Sequence, residues 1–235
     1  MLKIALTAGH YRYTAGKRCL KKLDPSETRE WVLNDRIADR IEKLLSAYEG
    51  YTLLRTDDTT GERSIEVEDR VKAANDFGAD IYISIHHNAG IYSGSGGGIV
   101  AYTCKNCKAE STEWQKELYT ALINATSLKG NRANPLAQSN LYEVKKTKMP
   151  AVLLELGFMD SKTDVPIILT EEYAERCAKA ITEVIVRRGG LKKKEEKPLY
   201  RVQVGAFYEK KNAEALRDEL KAGGYAAIIK EEVAK

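Results

Sequence analysis

The chain of 235 residues has no apolar run approaching the roughly 18 residues that cross a bilayer, so no membrane span is expected. The opening Met1-Leu2-Lys3-Ile4-Ala5-Leu6-Thr7 is too short for the apolar core of a secretory leader, so synthesis in the cytoplasm without a signal peptide is expected. Cysteine is scarce: Cys19, Cys104, Cys107 and Cys177. A chain of this size made in the cytoplasm is not expected to carry a disulfide framework. Cys104-Lys-Asn-Cys107 lacks the second pair of a structural zinc site and the strand-to-helix setting of a redox motif, so both are read as reduced bystanders. Charge of one sign is scarce too. The 38 Lys+Arg against 34 Asp+Glu leave +4, and the eight residues from Leu191 to Pro198 hold four lysines and two glutamates, half of that excess. No basic stripe remains for a nucleic-acid partner.

What is present is 43% hydrophobic and patterned, enough for a buried core. Residues 2–7, 51–55, 80–86, 99–103, 140–144 and 151–156 read as strands. Asp24-Pro-Ser-Glu27 reads as a helix start with a capping box, followed by Leu33, Ile37, Ile41 and Leu44 at helical spacing. Residues 65–77, 111–128 and 171–186 also read as helices, the last with Cys177 on its apolar stripe. Strands alternating with helices predict an α/β fold: a three-layer domain with a twisted, mostly parallel six-stranded sheet. Gly189-Gly190 ends that domain, so the expected division is 1–190, a charged linker 191–198 and a tail 199–235. The tail reads as a small βαβ module, with strands at 200–204 and 225–230 around a helix at 211–221, too small for a good core alone.

All three histidines fall at strand ends: His10 after the first, His86 and His87 closing the fourth. Sites in α/β sheets form at the carboxyl ends of strands. A hydrolytic zinc site needs about three protein ligands and an open position for water. His10 and His86 offer two nitrogens, His86 being preferred to His87 because it shares the polar face of Ser84. Glu27 and Glu30 are both candidates for a third, carboxylate ligand. Glu155 closes an apolar run, Pro150-Ala-Val-Leu-Leu-Glu-Leu-Gly-Phe158, where a buried carboxyl is costly unless it is paired or functional. Beside an activated water it suits a general base.

Four blocks carry a resemblance: Thr7-Ala-Gly-His10; Glu30-Trp-Val-Leu-Asn34; Ala79-Asp-Ile-Tyr-Ile-Ser-Ile-His-His-Asn88; and Pro150 to Phe158. In this order and spacing they resemble the zinc-dependent N-acetylmuramoyl-L-alanine amidases of the Amidase_3 family, over about residues 1–188. The resemblance implies one Zn2+ per chain held by His10, Glu30 and His86, and favours Glu30 over Glu27 because the family places a Glu four residues before an Asn. It implies Glu155 as the catalytic carboxylate and hydrolysis of the amide between the lactyl group of N-acetylmuramic acid and L-alanine in peptidoglycan. Asn88, Asn140 and Leu141 are candidate substrate contacts. Thr7-Ala8 departs from the usual Asp-Pro or Asn-Pro, and His87 from a common small residue.

The tail's Val202-Gln-Val-Gly-Ala-Phe207 is similar to a SPOR-type peptidoglycan-binding module, at half length. Two chains pooling their halves into a homodimer is the corresponding expectation. The resemblance implies a wall-cutting enzyme acting after release, as a phage or prophage endolysin or a bacterial autolysin. A zinc peptidase or carboxypeptidase acting on stem peptides is the alternative, but such enzymes usually hold two ligands in a close His-x-x-Glu, whereas nineteen residues separate His10 from Glu30. An inactive peptidoglycan-binding protein is the other, and the presence of all four chemical groups argues against it.

Overall fold

Strand β1 (Leu2–Ala8) is buried from Ile4 onward, and this apolar run sits inside a sheet rather than on its edge. The computed structural model describes residues 1–195, 200 and 202–232. After β1 the chain forms α1 (Glu30–Leu45), a two-residue β2 (Tyr48–Glu49), β3 (Tyr51–Arg55), α2 (Val67–Phe77), β4 (Ile81–Asn88) and β5 (Ile99–Thr103). Then follow α3 (Ala109–Thr126), β6 (Leu136–Gln138), α4 (Tyr142–Lys146), β7 (Ala151–Phe158), α5 (Val165–Ile168) and α6 (Glu171–Gly189). A two-residue β8 (Lys192–Lys193) and α7 (Lys210–Ala222) complete the order. Six strands make one sheet in the order β3-β1-β4-β7-β5-β6. All neighbours are parallel except β5 against β7, so the sheet is mixed but mostly parallel, as expected.

Parallel strands bury both faces, because their crossovers lay helices on each. One face carries Ile4, Leu6, Ile81, Ile83, Ile85, Val152 and Leu154 against the apolar stripes of α1, α3 and α6. Cys177 lies in this layer, fully buried. The other carries Ala5, Tyr82, Ala151 and Leu153 with Ala74 of α2 and Val144 of α4. The face of Ser84, read as polar from the sequence, is therefore covered too: Ser84 and Tyr82 are fully buried.

Three local expectations are corrected. The first helix starts at Glu30, not at Pro25. Asp24 does cap, but it closes a turn on itself, accepting from the backbone N–H groups of Ser26 and Thr28, and Glu27 takes a left-handed backbone. The segment 140–144 is not a strand: the short strand lies upstream at β6, and α4 follows. In the tail only the helix forms. Residues 202–207 and 225–230 have no strand, and Val202, Val204, Tyr225 and Ile228 remain exposed because no sheet covers them. A homodimeric sheet made of two tails therefore has no strand to build on among the described residues.

The chain divides into two compact units, Met1–Lys194 and Glu195–Lys235. The start of the expected linker belongs to the first unit: Leu191 is buried, and β8 pairs antiparallel with β2. Residues 196–198 of that linker lie outside the described residues.

Candidate metal centre and active site

The site is built where β1, β4 and β7 end. The chain leaves β1 through Gly9, whose N–H donates to the Ile85 carbonyl at 2.8 Å. A Cβ at Gly9 would stand 2.0 Å from Cε1 of His86, so only glycine lets that ring lie across the end of β1. His10 follows with φ of 68°, a left-handed backbone that costs a non-glycine residue energy. Arg70, buried on α2, holds it there: its guanidinium donates to the carbonyls of Ala8 (2.9 Å) and His10 (2.8 Å). Asn34 donates to the Gly9 carbonyl at 3.1 Å from the opposite layer.

Glu30 is the first residue of α1 and only 1% exposed. Its Oε2 stands 3.3 Å from His10 Nε2 and its Oε1 3.1 Å from His86 Nδ1. His10, Glu30 and His86 are a cluster whose ligand atoms all lie within 4.8 Å of one another. Two imidazoles and one carboxylate suit zinc better than calcium or magnesium, which prefer oxygen alone. Each of the three offers one donor atom, and these lie near enough together for a single ion to reach all of them. Oε2 of Glu30 is also buried without a hydrogen-bond partner. The donor set fits a metal ion.

The electrostatics ask for a cation as well. Burial alone would raise the Glu30 carboxyl, but hydrogen bonds and charge from His10 and His86 outweigh it and hold it well below the usual range. Burial likewise opposes charge on His86, yet Glu143 and Glu30 outweigh it and raise the imidazole to about 10. The carboxylates thus favour a positive charge at this point, whether a proton or a metal.

Glu155 lies in register with His86 on the neighbouring strand, so the two side chains share one face of the sheet. Burial pushes its carboxyl up to about 7, against the lowering effect of His86. Its Oε2 is buried and unpaired. A carboxyl poised there can take a proton near neutral pH.

Two functional partners escape sequence reasoning. Glu143 reaches in from α4, under the far face of the sheet: its carboxylate accepts from the Tyr82 hydroxyl at 2.7 Å and stands 3.4 Å from His86 Nε2. Nδ1 of His86 faces Glu30, so Nε2 is left for Glu143. It thus faces His86 from the position that an outer carboxylate takes behind a metal-binding histidine. Oδ1 of Asn34 accepts from Nδ1 of His87 at 2.8 Å, and that ring is turned to the α1 layer and buried. Burial pushes His87 down to about 3, and its ring, bonded to Asn34, stands outside the ligand cluster. Glu27, the other candidate carboxylate, pairs with Arg18 at 3.1 Å instead. The only sequence signal for Asn34 was its spacing from Glu30; Glu143 fell within residues 140–144, read as a short strand, and nothing in that segment set it apart.

Of the expected substrate contacts, Asn88 ends β4 two residues beyond His86, and its carbonyl accepts from Met159 N–H at 2.8 Å. Asn140 and Leu141 are exposed and lead directly into α4, whose Glu143 touches His86.

The profile of the Amidase_3 family, N-acetylmuramoyl-L-alanine amidase, matches residues 4–187, and that of the SPOR domain matches residues 170–231. The chain is 31% identical over 234 residues to the sporulation-specific N-acetylmuramoyl-L-alanine amidase of Bacillus subtilis (strain 168), covering 97% of this chain and 84% of that protein. It is 27% identical over 229 residues to the N-acetylmuramoyl-L-alanine amidase CwlM of Bacillus licheniformis, covering 97% and 85%. The fold matches the catalytic domain of CwlV, an N-acetylmuramoyl-L-alanine amidase from Bacillus (Paenibacillus) polymyxa var. colistinus, with a TM-score of 0.71 at 23% identity, over 82% of this chain and 100% of that one.

Proposed function

The chain belongs to the Amidase_3 family of N-acetylmuramoyl-L-alanine amidases, and we propose that it makes its cut at the cluster of His10, Glu30, His86 and Glu155, with zinc as the resident metal. The reaction is hydrolysis of the amide between the lactyl group of N-acetylmuramic acid and L-alanine, a lytic cut in the cell wall. The observation that carries the assignment is the pairing of a nitrogen–nitrogen–carboxylate cluster with an unpartnered buried carboxyl directly across the strand pair.

When bound, zinc supplies Lewis acidity toward the scissile carbonyl and toward water. His10, Glu30 and His86 would hold it, with Arg70 and Asn34 fixing the backbone of His10 and Glu143 backing the ring of His86. Glu155 takes the proton of the attacking water and delivers it to the alanine nitrogen as the amide breaks. Its raised affinity for a proton suits both halves of that transfer, since a base too acidic would not accept and one too basic would not release. Asn88, at the end of β4, and Asn140 and Leu141, just ahead of α4, contact the substrate.

In this reading residues 1–190 are the catalytic domain and 199–235 bind the wall through the SPOR-like segment. The match of the SPOR profile supports the second assignment. No helix among the described residues is long and apolar enough to cross a membrane. Digestion of purified peptidoglycan with mass analysis tests the reaction. Free lactyl carboxylates with intact stems, lost on chelation and restored by zinc, are expected; new reducing ends or cleaved peptide bridges would refute it.

A further inference from the structure

The segment that follows β4 reads as a loose loop, Asn88-Ala-Gly-Ile-Tyr-Ser-Gly-Ser-Gly-Gly-Gly98. It is instead tied down along its length. One carboxylate oxygen of Asp160 accepts the backbone N–H groups of Gly90, Ile91 and Tyr92 at 2.9, 2.8 and 2.7 Å. Ser93 N–H donates to the Asp160 carbonyl at 2.7 Å, and Lys162 N–H to that of Gly94 at 3.0 Å. Further along, Asp164 accepts from Gly98 N–H at 2.7 Å. Asp160 lies five residues beyond Glu155, and the loop begins two residues beyond His86. The clamp therefore joins the segments that leave the metal-site strand and the Glu155 strand.

At the tip of this clamp two consecutive non-glycine residues, Tyr92 and Ser93, have φ of 53° and 70°. Left-handed backbone at such residues persists only where surrounding contacts enforce it, and it gathers at functional sites. The outcome is a tyrosine held by its own backbone N–H with its side chain 86% exposed. A structural role would bury that ring; this one is presented. Residues 88–98 carry no charged side chain: beside the glycines they offer the Tyr92 ring, two serine hydroxyls, the Asn88 amide and the small apolar groups of Ala89 and Ile91. That composition offers nothing to the carboxylates and amines of a stem peptide. It suits the neutral hydroxyls and C–H faces of a sugar, which lie against the negative face of an aromatic ring.

We propose that Tyr92 is a saccharide platform on the rim of the candidate active site, taking a sugar ring of the glycan strand whose stem peptide is cut. The proposal rests on the amidase reading above and names a subsite of it. Because the backbone that carries the ring is set in place on folding, only the side chain is left to order on binding, and the platform acts on affinity rather than on the chemical step.

The test compares wild type, Tyr92→Ala and Tyr92→Phe on two substrates: a tetrasaccharide of alternating N-acetylglucosamine and N-acetylmuramic acid bearing stem peptides, and a single N-acetylmuramoyl peptide without flanking sugars. Tyr92→Ala should raise KM about three- to tenfold on the tetrasaccharide with kcat nearly unchanged, and leave the single-sugar substrate unaffected. Tyr92→Phe, which keeps the ring, should stay close to wild type. Titration of the full-length protein with peptide-free tetrasaccharide should show the same weakening for Tyr92→Ala. Unchanged KM on the tetrasaccharide, or an equal rise on both substrates, overturns the platform while the amidase reading stands. Release of no lactyl carboxylate by wild type from either substrate overturns both.

Discussion

Replacing Glu143 separates the work of an outer carboxylate from that of a fold-stabilising contact. In Glu143→Ala the fully buried Tyr82 hydroxyl loses an acceptor at 2.7 Å, and His86 Nε2 loses its only carboxylate neighbour, at 3.4 Å. An orphaned buried donor costs about 1–3 kcal/mol, and loss of the partner behind a metal-bound histidine costs about 10- to 100-fold in metal affinity. Glu143→Gln keeps an oxygen for Tyr82 and removes the charge behind His86. The two variants should therefore split. Alanine lowers both thermal stability and zinc affinity, whereas glutamine loses under about 1 kcal/mol of stability and still binds zinc at least about tenfold more weakly. Thermal unfolding of the zinc-free protein and zinc competition against a chelator measure the two quantities. Wild-type zinc affinity in both variants would show that the contact does not orient the ligand.

Glu155→Gln should cut hydrolysis about 10²- to 10⁴-fold while zinc content is kept; turnover near wild type would remove Glu155 from the mechanism. Because the base acts only when ionised and burial pushes Glu155 up to about 7, kcat/KM should climb with pH through that region, earlier where a bound cation draws the carboxyl down. A rate that falls between pH 5 and 7 would contradict this. Gly9→Ala forces its methyl into the His86 ring. It should abolish zinc binding at a stability cost of about 1–3 kcal/mol, and a variant with full zinc content would show that the ring has room to turn.

The layer order and the strands β1, β3, β4, β5 and β7 were legible because they follow period and composition: Ile81, Ile83 and Ile85 can only line a buried face. His10, His86 and Glu155 stood out because ionisable groups at strand ends, or closing an apolar run, need a reason to be there. Glu143 did not, since its meaning depends on α4 folding across the sheet to meet Tyr82 and His86, a contact sixty residues long-range in sequence. The start of α1 was misplaced for a similar reason. Asp24 caps equally well in a turn, and the choice was made by distant pairing, with Cys19 N–H donating to Thr28 O and Glu30 N–H to Lys17 O. The glycines of residues 94–98 read as a flexible loop, yet the positive φ values of Gly96, Gly97 and Gly98 serve close backbone packing: Gly98 and Gly130 lie so near that neither admits a Cβ.

The Asp160 clamp has a consequence for how such an enzyme can diversify. It grips residues 90–92 through main-chain N–H groups alone, so the scaffold of the rim is indifferent to which side chains stand on it. That freedom is widest at Ile91; Tyr92 and Ser93, with φ of 53° and 70°, stand in a left-handed backbone that disfavours β-branched replacements. Taste for different wall polymers could then drift by substitution at these positions, with the cutting machinery a few residues away left untouched.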